Sequence, residues 1–285
     1  MKFNHRLVTM ISALLLSATS YTAAADKFKV CADPLNPPYS TKKLDGFENK
    51  IAALFAEKLG QEVEYTWFPQ RIGFIRNTLR VELEDGSGEY KCDVVMGVPA
   101  GYELTLTTQP YYHSQYVMLI AKGRGFDEIS SPEQISVLPL VKQEQLKIAM
   151  FDRGPGTTWL QQQGLLDQGV PYQTMTGDDE NNVAMTIEKD LKAKKIDMAI
   201  VWGPMAGYIL SQSPKESYIA LPMQSTKAVK YDFSMAMGVR YGDKQRKVVL
   251  DKLIVENQMQ INEIIKSYQI PLLPIPAQKP HDDDD

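Results

Sequence analysis

The chain has 285 residues, of which 44% are apolar, enough to bury the core of one large domain or of two medium ones. Its 31 basic and 35 acidic residues give a formal net charge of −4. An acidic balance argues against a nucleic-acid-binding protein and against one that docks on an anionic membrane surface.

Residues 1–25 predict a secretory signal peptide. A lysine and an arginine precede a short apolar run at 7–16, and residues 23–25 are alanines. The apolar run is shorter than the roughly 20 residues of a membrane-spanning helix, so the alternative of an N-terminal anchor is disfavoured. We therefore expect a periplasmic protein, cleaved near Ala25 and without a membrane anchor.

From residue 26 onward, apolar residues recur at helical and strand-like spacings in alternation. The first predicted elements are a strand at 28–32, a helix at 46–59, a strand at 62–67, a helix at 74–81 and a strand at 92–98. The later ones are strands at 114–122, 147–151, 196–202 and 231–239, and helices at 157–163, 181–194, 204–211 and 244–267.

This alternation predicts an α/β fold with mixed, mostly parallel sheets and helices on both faces. Two series of unequal make-up predict two lobes with a cleft between them. We expect lobe 1 to comprise 26–117 and 228–275, and lobe 2 to comprise 118–227. The segment 276–285 ends in four aspartates and predicts a flexible acidic tail, with a docking tail as the alternative.

Cys31 and Cys92 are the two cysteines of the chain, and each belongs to an apolar, strand-like segment. In an oxidising periplasm two thiols commonly form a disulfide, and a bridge is possible if the strands are neighbours in register. Two buried free thiols are the alternative. The sequence has no CxxC or HExxH motif, so it gives little support for a metal site, and we expect no cofactor.

Four quoted segments carry a family resemblance: VCADPLNPPYS, GFENKIAALFAEKLG, VEYTWFPQRIGFIRNTL and CDVVMGVPAGYELTLTTQPYY. They resemble the MoxJ-type proteins, a branch of extracellular solute-binding protein family 3 with the type II periplasmic binding fold. Asn49 and the WFPQR run at 67–71 are the most specific pieces, and the resemblance covers nearly all of 26–275. It implies a monomeric periplasmic accessory of methanol oxidation, which assists assembly or activation of the pyrroloquinoline quinone methanol dehydrogenase through protein contact.

In open α/β sheets, ligands bind beyond the carboxyl ends of the strands. Relatives that bind amino acids place an arginine there for the carboxylate and an aspartate for the ammonium group. The corresponding positions fall at about Gly101 and at Trp202, so both charges are absent. Burying a carboxylate without a paired cation costs on the order of several kcal/mol, which disfavours an ordinary amino acid as the ligand.

The candidate ligand residues come from loops that follow predicted strands and from side chains near them. They are Asp33, Asn36, Tyr39, Phe47, Trp67, Arg71, Pro99, Tyr102, Asp152, Gly154, Gly156, Thr157, Thr158 and Trp202. The aromatic members have three interpretations: a stacking site for a flat or apolar group, a surface for a protein, or ordinary packing. The segment 154–158 is either an anion-accepting helix N-terminus or a plain capped turn.

Three functions compete on these grounds. A non-enzymatic accessory that contacts methanol dehydrogenase agrees best with the resemblance and with the charge-poor, aromatic cleft. The alternative is a substrate-binding receptor for a small solute of methanol metabolism that feeds an ABC transporter. An enzyme would need a carboxylate or histidine with a tuned pKa, and Asp33, Glu103, His113 and Asp152 form no recognised catalytic pattern. We expect His113 at the surface or at a hinge.

Overall fold

The computed structural model describes residues 26–174 and 180–277. The predicted signal peptide (1–25) and all but the first two residues of the predicted tail (276–285) lie outside the described residues. In the two described ranges, no helix combines the length and the apolar character needed to cross a membrane.

The first half of the chain is built mainly from strands, with one long helix. Its elements are β1 (Lys27–Ala32), β2 (Leu35–Asn36), β3 (Ser40–Thr41), α1 (Phe47–Leu59), β4 (Glu62–Trp67), α2 (Phe74–Asn77), β5 (Val94–Pro99), β6 (Leu106–Thr107) and β7 (Tyr112–Ala121). The predicted helix at 74–81 is too long, because Thr78 leaves helical geometry and its hydroxyl donates to the Phe74 carbonyl at 2.7 Å. A threonine that bonds back in this way competes with helix propagation.

The second half alternates strands and helices. Its elements are a 3₁₀ turn (Pro132–Val137), α3 (Leu140–Gln143), β8 (Ile148–Phe151), α4 (Pro155–Gln162), a second 3₁₀ turn (Leu166–Gln168), β9 (Gly169–Tyr172), α5 (Val183–Lys192), β10 (Met198–Trp202), α6 (Gly203–Ser211), β11 (Tyr218–Pro222), β12 (Asp232–Val239), α7 (Lys244–Glu256) and α8 (Gln258–Ser267). The single helix predicted at 244–267 is wrong, since the helix breaks at Asn257. The buried Asn257 amide donates to the Leu253 carbonyl at 2.8 Å, and its backbone is non-helical.

The described strands, apart from the β2–β3 pair, join in one mixed sheet of ten strands. The order is β4-β1-β5-β12-β7-β10-β8-β9, with β6 on β12 and β11 on β7. β1 runs parallel to β4 and β5, and β8 runs parallel to β9 and β10. β7 and β12 are antiparallel to each other and to their other neighbours. Three successive antiparallel pairings separate β5 from β10, so β10 runs opposite to β1 and β5, and the carboxyl ends of the two groups of strands point toward each other along the sheet.

Helices cover both faces of the sheet because successive strand residues point to opposite sides. In β1, Phe28 and Val30 pack on one side with α1, α7 and α8, whereas Cys31 packs on the other side near α2. In β7, Met118 faces the side of α4, and Leu119 faces the side of α5 and α6. We call the apolar residues on the two sides of β1, packed with α1, α2, α7 and α8, the outer core. We call those on the two sides of β7, packed with α4, α5 and α6, the central core. The boundaries of the two lobes stay a prediction.

A disulfide joins Cys31 of β1 to Cys92, two residues before β5. The Cα atoms are 5.3 Å apart, within the range that a bridge requires. The predicted disulfide is therefore confirmed, and it fastens two neighbouring parallel strands.

β7 and β12 pass from the outer core to the central core side by side. Where they pair, the His113 imidazole lies between Ser234 Oγ and Asp232 Oδ2, each at 2.8 Å. His113 is only 4% exposed, so the expectation of a surface position is wrong and the crossing position is the observed one.

Candidate functional site

A cavity of about 230 Å³ lies between the outer core and the central core. Five of the predicted residues line it: Asp33, Asn36, Tyr39, Pro99 and Trp202. It is also lined by Ser40, Glu48, Gln70, Gly97, Thr174, Met205 and Met235, among others. We call this space the cleft cavity. The described residues that line it include no arginine, lysine or histidine.

Asp33 is fixed at the rim of the cavity by the loop that follows β1. Its two carboxyl oxygens accept backbone N–H groups from Leu35 at 2.7 Å and from Gln70 at 2.5 Å. Bonds of this kind suit an ionised carboxylate. The loop therefore presents a negative charge at the cavity wall.

A chain of hydrogen-bonded amide side chains crosses the cleft beside the cavity. The Asn36 side chain donates to Gln70 Oε1 at 2.8 Å, and its own oxygen accepts from the Asn182 amide at 2.9 Å. Asn182 is also the N-cap of α5, because its oxygen accepts the Ala184 N–H at 2.8 Å. Since Asn36 follows β1 and Asn182 begins a helix of the central core, this bond spans the cleft.

Glu48 lies in the first turn of α1, with its side chain facing the cavity. A Cβ atom at Gly97 would stand 2.2 Å from Glu48 Oε1, so the carboxyl group sits directly against the backbone of β5. Among the described residues, this carboxyl group has no hydrogen bond or ion pair. Burial raises the pKa of Glu48 to about 8, and the neighbouring charge of Asp33 adds to the effect.

Three tyrosines surround this carboxyl group. Tyr111 and Tyr112 are 0% and 1% exposed, and neither hydroxyl has a hydrogen-bond partner of good geometry within the described part of the chain. Burial raises the pKa of Tyr39, Tyr111 and Tyr112 well above the ordinary value, and the proximity of Glu48 raises each further. The pKa of Tyr112 is lowered in part by the nearby Trp202 side chain. The hydroxyls of Tyr111 and Tyr112 are thus buried polar groups without a partner in the described residues, and they lie behind the lining of the cavity, not in it.

Trp202 ends β10 and forms the opposite wall. Its ring lies 5.4 Å from the Tyr116 ring and 5.8 Å from the Phe233 ring, between centroids. These contacts fix the indole at the position where the sequence predicted the counterpart of a relative's aspartate. The wall is therefore aromatic instead of charged.

A second and larger cavity of about 590 Å³ adjoins the first along α2. Its apolar lining includes Ile72, Phe74, Tyr102 and Leu104, and its charged lining consists of Arg71, Arg76 and Arg80. We call it the arginine groove. It shares Gln70, Phe74, Val95, Gly97 and Pro99 with the cleft cavity.

The arginine groove is exposed and carries uncompensated positive charge. Ile72 is 91% exposed and Leu104 is 45% exposed. Arg71 lies over the Phe68 ring at 4.8 Å, and Arg80 donates to the Leu104 carbonyl at 2.6 Å. None of the ion pairs among the described residues includes an arginine of the groove.

The remaining predicted residues lie elsewhere. Phe47 is 0% exposed in the outer core, and Trp67 stacks on Tyr65 at 4.6 Å. The segment 152–158 contributes no lining to the cleft cavity. There, Thr157 Oγ1 donates to the Phe151 carbonyl at 2.5 Å, so the hydroxyl binds the turn itself. In the described residues, no group of three His, Cys, Asp or Glu side chains is arranged to hold a metal ion.

Sequence reasoning missed Glu48, Gln70 and Asn182 as parts of the site. Glutamate in a first helical turn is common, because it interacts favourably with the helix dipole, so the residue type alone carries no signal. Gly97, in contrast, is a signal in the sequence that could have indicated the site. A glycine inside an otherwise bulky strand marks a place where another group approaches the backbone closely.

No family model matches the chain. Protein MoxJ of Methylorubrum extorquens is 27% identical over 275 residues, which cover 90% of this chain and 87% of that protein. Protein MoxJ of Paracoccus denitrificans is 25% identical over 92% of this chain and 95% of its own length.

Among solved structures, the periplasmic binding protein XoxJ from Methylobacterium extorquens superposes with a TM-score of 0.68 at 29% identity. The match covers 87% of this chain and all of that one. These similarities confirm the predicted type II periplasmic binding fold and the predicted resemblance. Over most of its length the chain is therefore similar to the proteins named MoxJ and to a periplasmic binding protein of solved structure.

Proposed function

We propose that this protein is a periplasmic accessory of methanol oxidation, which assists assembly or activation of the pyrroloquinoline quinone methanol dehydrogenase by direct protein contact. Its relatives named MoxJ support the association with methanol oxidation. The periplasm is the location of the relatives' class of protein.

The observation that carries the proposal is the arginine groove. At about 590 Å³ it is larger than the cleft cavity. It combines an almost fully exposed isoleucine, Ile72, with three arginines outside any ion pair of the described residues. Exposed apolar side chains next to arginine are enriched at protein interfaces. An acidic protein with one basic, apolar groove suits a partner segment that carries acidic and apolar side chains.

The test is binding of the mature chain to purified methanol dehydrogenase of the same periplasm, measured by biolayer interferometry at several salt concentrations. Replacing Arg71, Arg76 and Arg80 together by glutamine is expected to weaken binding at least tenfold, about 1.4 kcal/mol. Binding by the wild type should weaken as salt increases, because exposed charges are screened.

A matched control removes the same charge elsewhere. Lys58, Lys215 and Lys266 are exposed and lie outside the lining of the groove. Their replacement by glutamine should leave the affinity unchanged. Equal affinity of both triple variants for the dehydrogenase, or no binding by the wild-type chain, would refute the proposed contact.

A solute receptor is the second candidate, and one observation favours it. The Asn182 amide bonds to Asn36 across the cleft, so a hydrogen bond joins its two sides beside the cavity, a contact that would suit a binding protein that encloses a small molecule. A receptor that feeds a transporter would bind one solute tightly, and its stability would rise with the concentration of that solute. A thermal-shift screen on the wild-type chain distinguishes this function from the accessory role.

A further inference from the structure

The arginine groove presents three positive charges that no acid of the described chain neutralises. Arg71, Arg76 and Arg80 line it and are all exposed. Arg71 lies over the Phe68 ring, and Arg80 donates to the Leu104 carbonyl, so neither of these contacts supplies a negative charge. Because like charges around one groove repel each other, the groove favours an anionic occupant.

The acidic tail, 276–285, carries the complementary chemistry. It ends in four successive aspartates, in the sequence QKPHDDDD at 278–285. These eight residues lie outside the described residues. Prolines and an isoleucine precede the aspartates, at 274–276 and 280. An acidic run with apolar residues before it matches a groove whose lining is both basic and apolar.

The described chain ends within reach of the groove. The Leu273 N–H donates to the His113 carbonyl at 2.9 Å, on the edge of β7 that faces away from β12. On its other edge, β12 pairs with β5, whose last residue, Pro99, lines the groove. Three spacings between neighbouring strands therefore separate Leu273 from the groove, roughly 15 Å.

The length of the tail exceeds this separation. Pro276 and Ala277 are exposed, so the described chain ends at the surface. The first aspartate follows Leu273 by nine residues. Nine extended residues span roughly 30 Å, about twice the separation. The aspartates are therefore able to reach the groove without any change in the described fold.

The type of cation favours the groove over the neighbouring cleft cavity as the place for these acids. The described lining of the cleft cavity includes no arginine, lysine or histidine. The groove instead has arginines, whose planar guanidinium groups bind a carboxylate through two parallel hydrogen bonds. A run of carboxylates gains more from several such groups in one groove than from single exposed lysines.

We propose that the acidic tail is an intramolecular occupant of the arginine groove and competes there with the dehydrogenase. The aspartates bind the guanidinium groups, and the apolar residues before them contact the apolar lining. This inference rests on the proposed function, because it regulates the same surface. A short tether gives an effective concentration on the order of millimolar, so a contact with a dissociation constant below that value occupies most grooves. The apparent affinity for the partner falls with the fraction of free grooves.

Binding of a tail peptide tests the contact without the dehydrogenase. The groove is freed in a full-length variant, which we call the tail-neutral variant, with the changes Asp282→Asn, Asp283→Asn, Asp284→Asn and Asp285→Asn. A fluorescein-labelled peptide, QKPHDDDD, is titrated with this variant and with the wild type at low ionic strength, and its anisotropy is followed. We expect the wild type to bind the peptide at least threefold more weakly, because its own tail competes.

Matched changes show whether the peptide binds in the groove. Replacing Arg71, Arg76 and Arg80 by glutamine in the tail-neutral variant should weaken peptide binding at least tenfold. The triple lysine variant removes the same charge outside the groove, and in the same background it should bind the peptide as before. A peptide with asparagines, QKPHNNNN, should bind at least tenfold more weakly than QKPHDDDD.

Biolayer interferometry with the dehydrogenase tests the competition. The tail-neutral variant should bind at least threefold more tightly than the wild type. When the three groove arginines are already replaced, the tail changes should have no effect, because the two sets of residues act as one unit. A control for net charge replaces four exposed glutamates outside the groove by glutamine and should bind as the wild type does. They are Glu57, Glu128, Glu144 and Glu263.

The two proposals fail through different results. The tail contact is refuted if the peptide does not bind the tail-neutral variant, binds it no better than the wild type, or binds equally without the groove arginines. Equal affinity of the wild type and the tail-neutral variant for the dehydrogenase refutes the competition. If the peptide binds as expected and no chain binds the dehydrogenase, the proposed function fails while the tail contact stands.

Discussion

Replacing Glu48 by glutamine should stabilise the protein, and increasingly so as the pH rises. The folded pKa of this carboxyl group is about 8, whereas the ordinary value is 4.5. Below pH 4.5 both the folded and the unfolded chain keep the proton, so the group has no effect on stability. Between pH 4.5 and 8 the unfolded chain loses the proton while the folded chain retains it. The free energy of unfolding therefore falls as the pH rises through this window.

The size of this effect follows from the shift. Each pH unit in the window removes up to about 1.4 kcal/mol of stability. Because the side chain is only partly buried and keeps contact with the cavity, we take half of that as the lower bound. The free energy of unfolding of Glu48→Gln, relative to wild type, should then increase by about 2 to 4 kcal/mol between pH 5 and pH 8.

Urea unfolding of both proteins at pH 5, 6.5 and 8, followed by circular dichroism, measures this difference. Glu57→Gln is the control, because Glu57 is an exposed residue of the same helix, and it should show a constant difference from the wild type. If the difference between Glu48→Gln and wild type stays constant across the pH range, Glu48 titrates in the ordinary range. The reasoning about its burial beside Asp33 would then be refuted.

Three further changes test other parts of the fold. Replacing Cys31 and Cys92 by alanine should lower the free energy of unfolding by about 4 kcal/mol, since the bridge closes a long loop, and unchanged urea stability would contradict this. Burial raises the pKa of Asp232, but the hydrogen bonds from Ser225 and His113 outweigh it and hold the pKa below the ordinary value. Asp232→Asn should therefore cost about 1 kcal/mol at neutral pH, a cost that is lost as the pH falls through the lowered pKa of the folded carboxyl group, and a cost that persists in strong acid would refute the assignment. Asn182→Ala should cost about 1 kcal/mol and raise the radius of gyration in X-ray scattering, and an unchanged radius would show that the bond across the cleft does not hold it closed.

Local signals in the sequence were sufficient for most elements. Helix α1 is one example, because its apolar stripe and the left-handed Gly60 at its end are both visible in the sequence. The break at Asn257 was not predictable from spacing, since the apolar period continues through it. The break depends on a buried side chain that bonds to the preceding turn, and burial is a property of the tertiary fold.

The cleft was only partly predictable for the same reason. Rules about strand ends predicted Asp33, Tyr39 and Trp202 as ligand residues, and these three residues line one cavity. They also suggested Phe47, whose neighbour Glu48 is the one that faces the cavity. On a helix, adjacent residues point about 100° apart, so an error of one position exchanges a core residue for a functional one.

We expect the absence of an arginine and an aspartate from the predicted positions to change which ligands the cleft can bind. A cleft that holds an amino acid needs a cation on one wall and an anion on the other. Here the described lining has acids and no cation, and Trp202 stands where the second charge would be. A ligand carboxylate would find no arginine, lysine or histidine in the described lining, and burying it without a paired cation costs on the order of several kcal/mol. We therefore expect an ordinary amino acid to bind poorly in this cleft, because the described lining offers its carboxylate no cation.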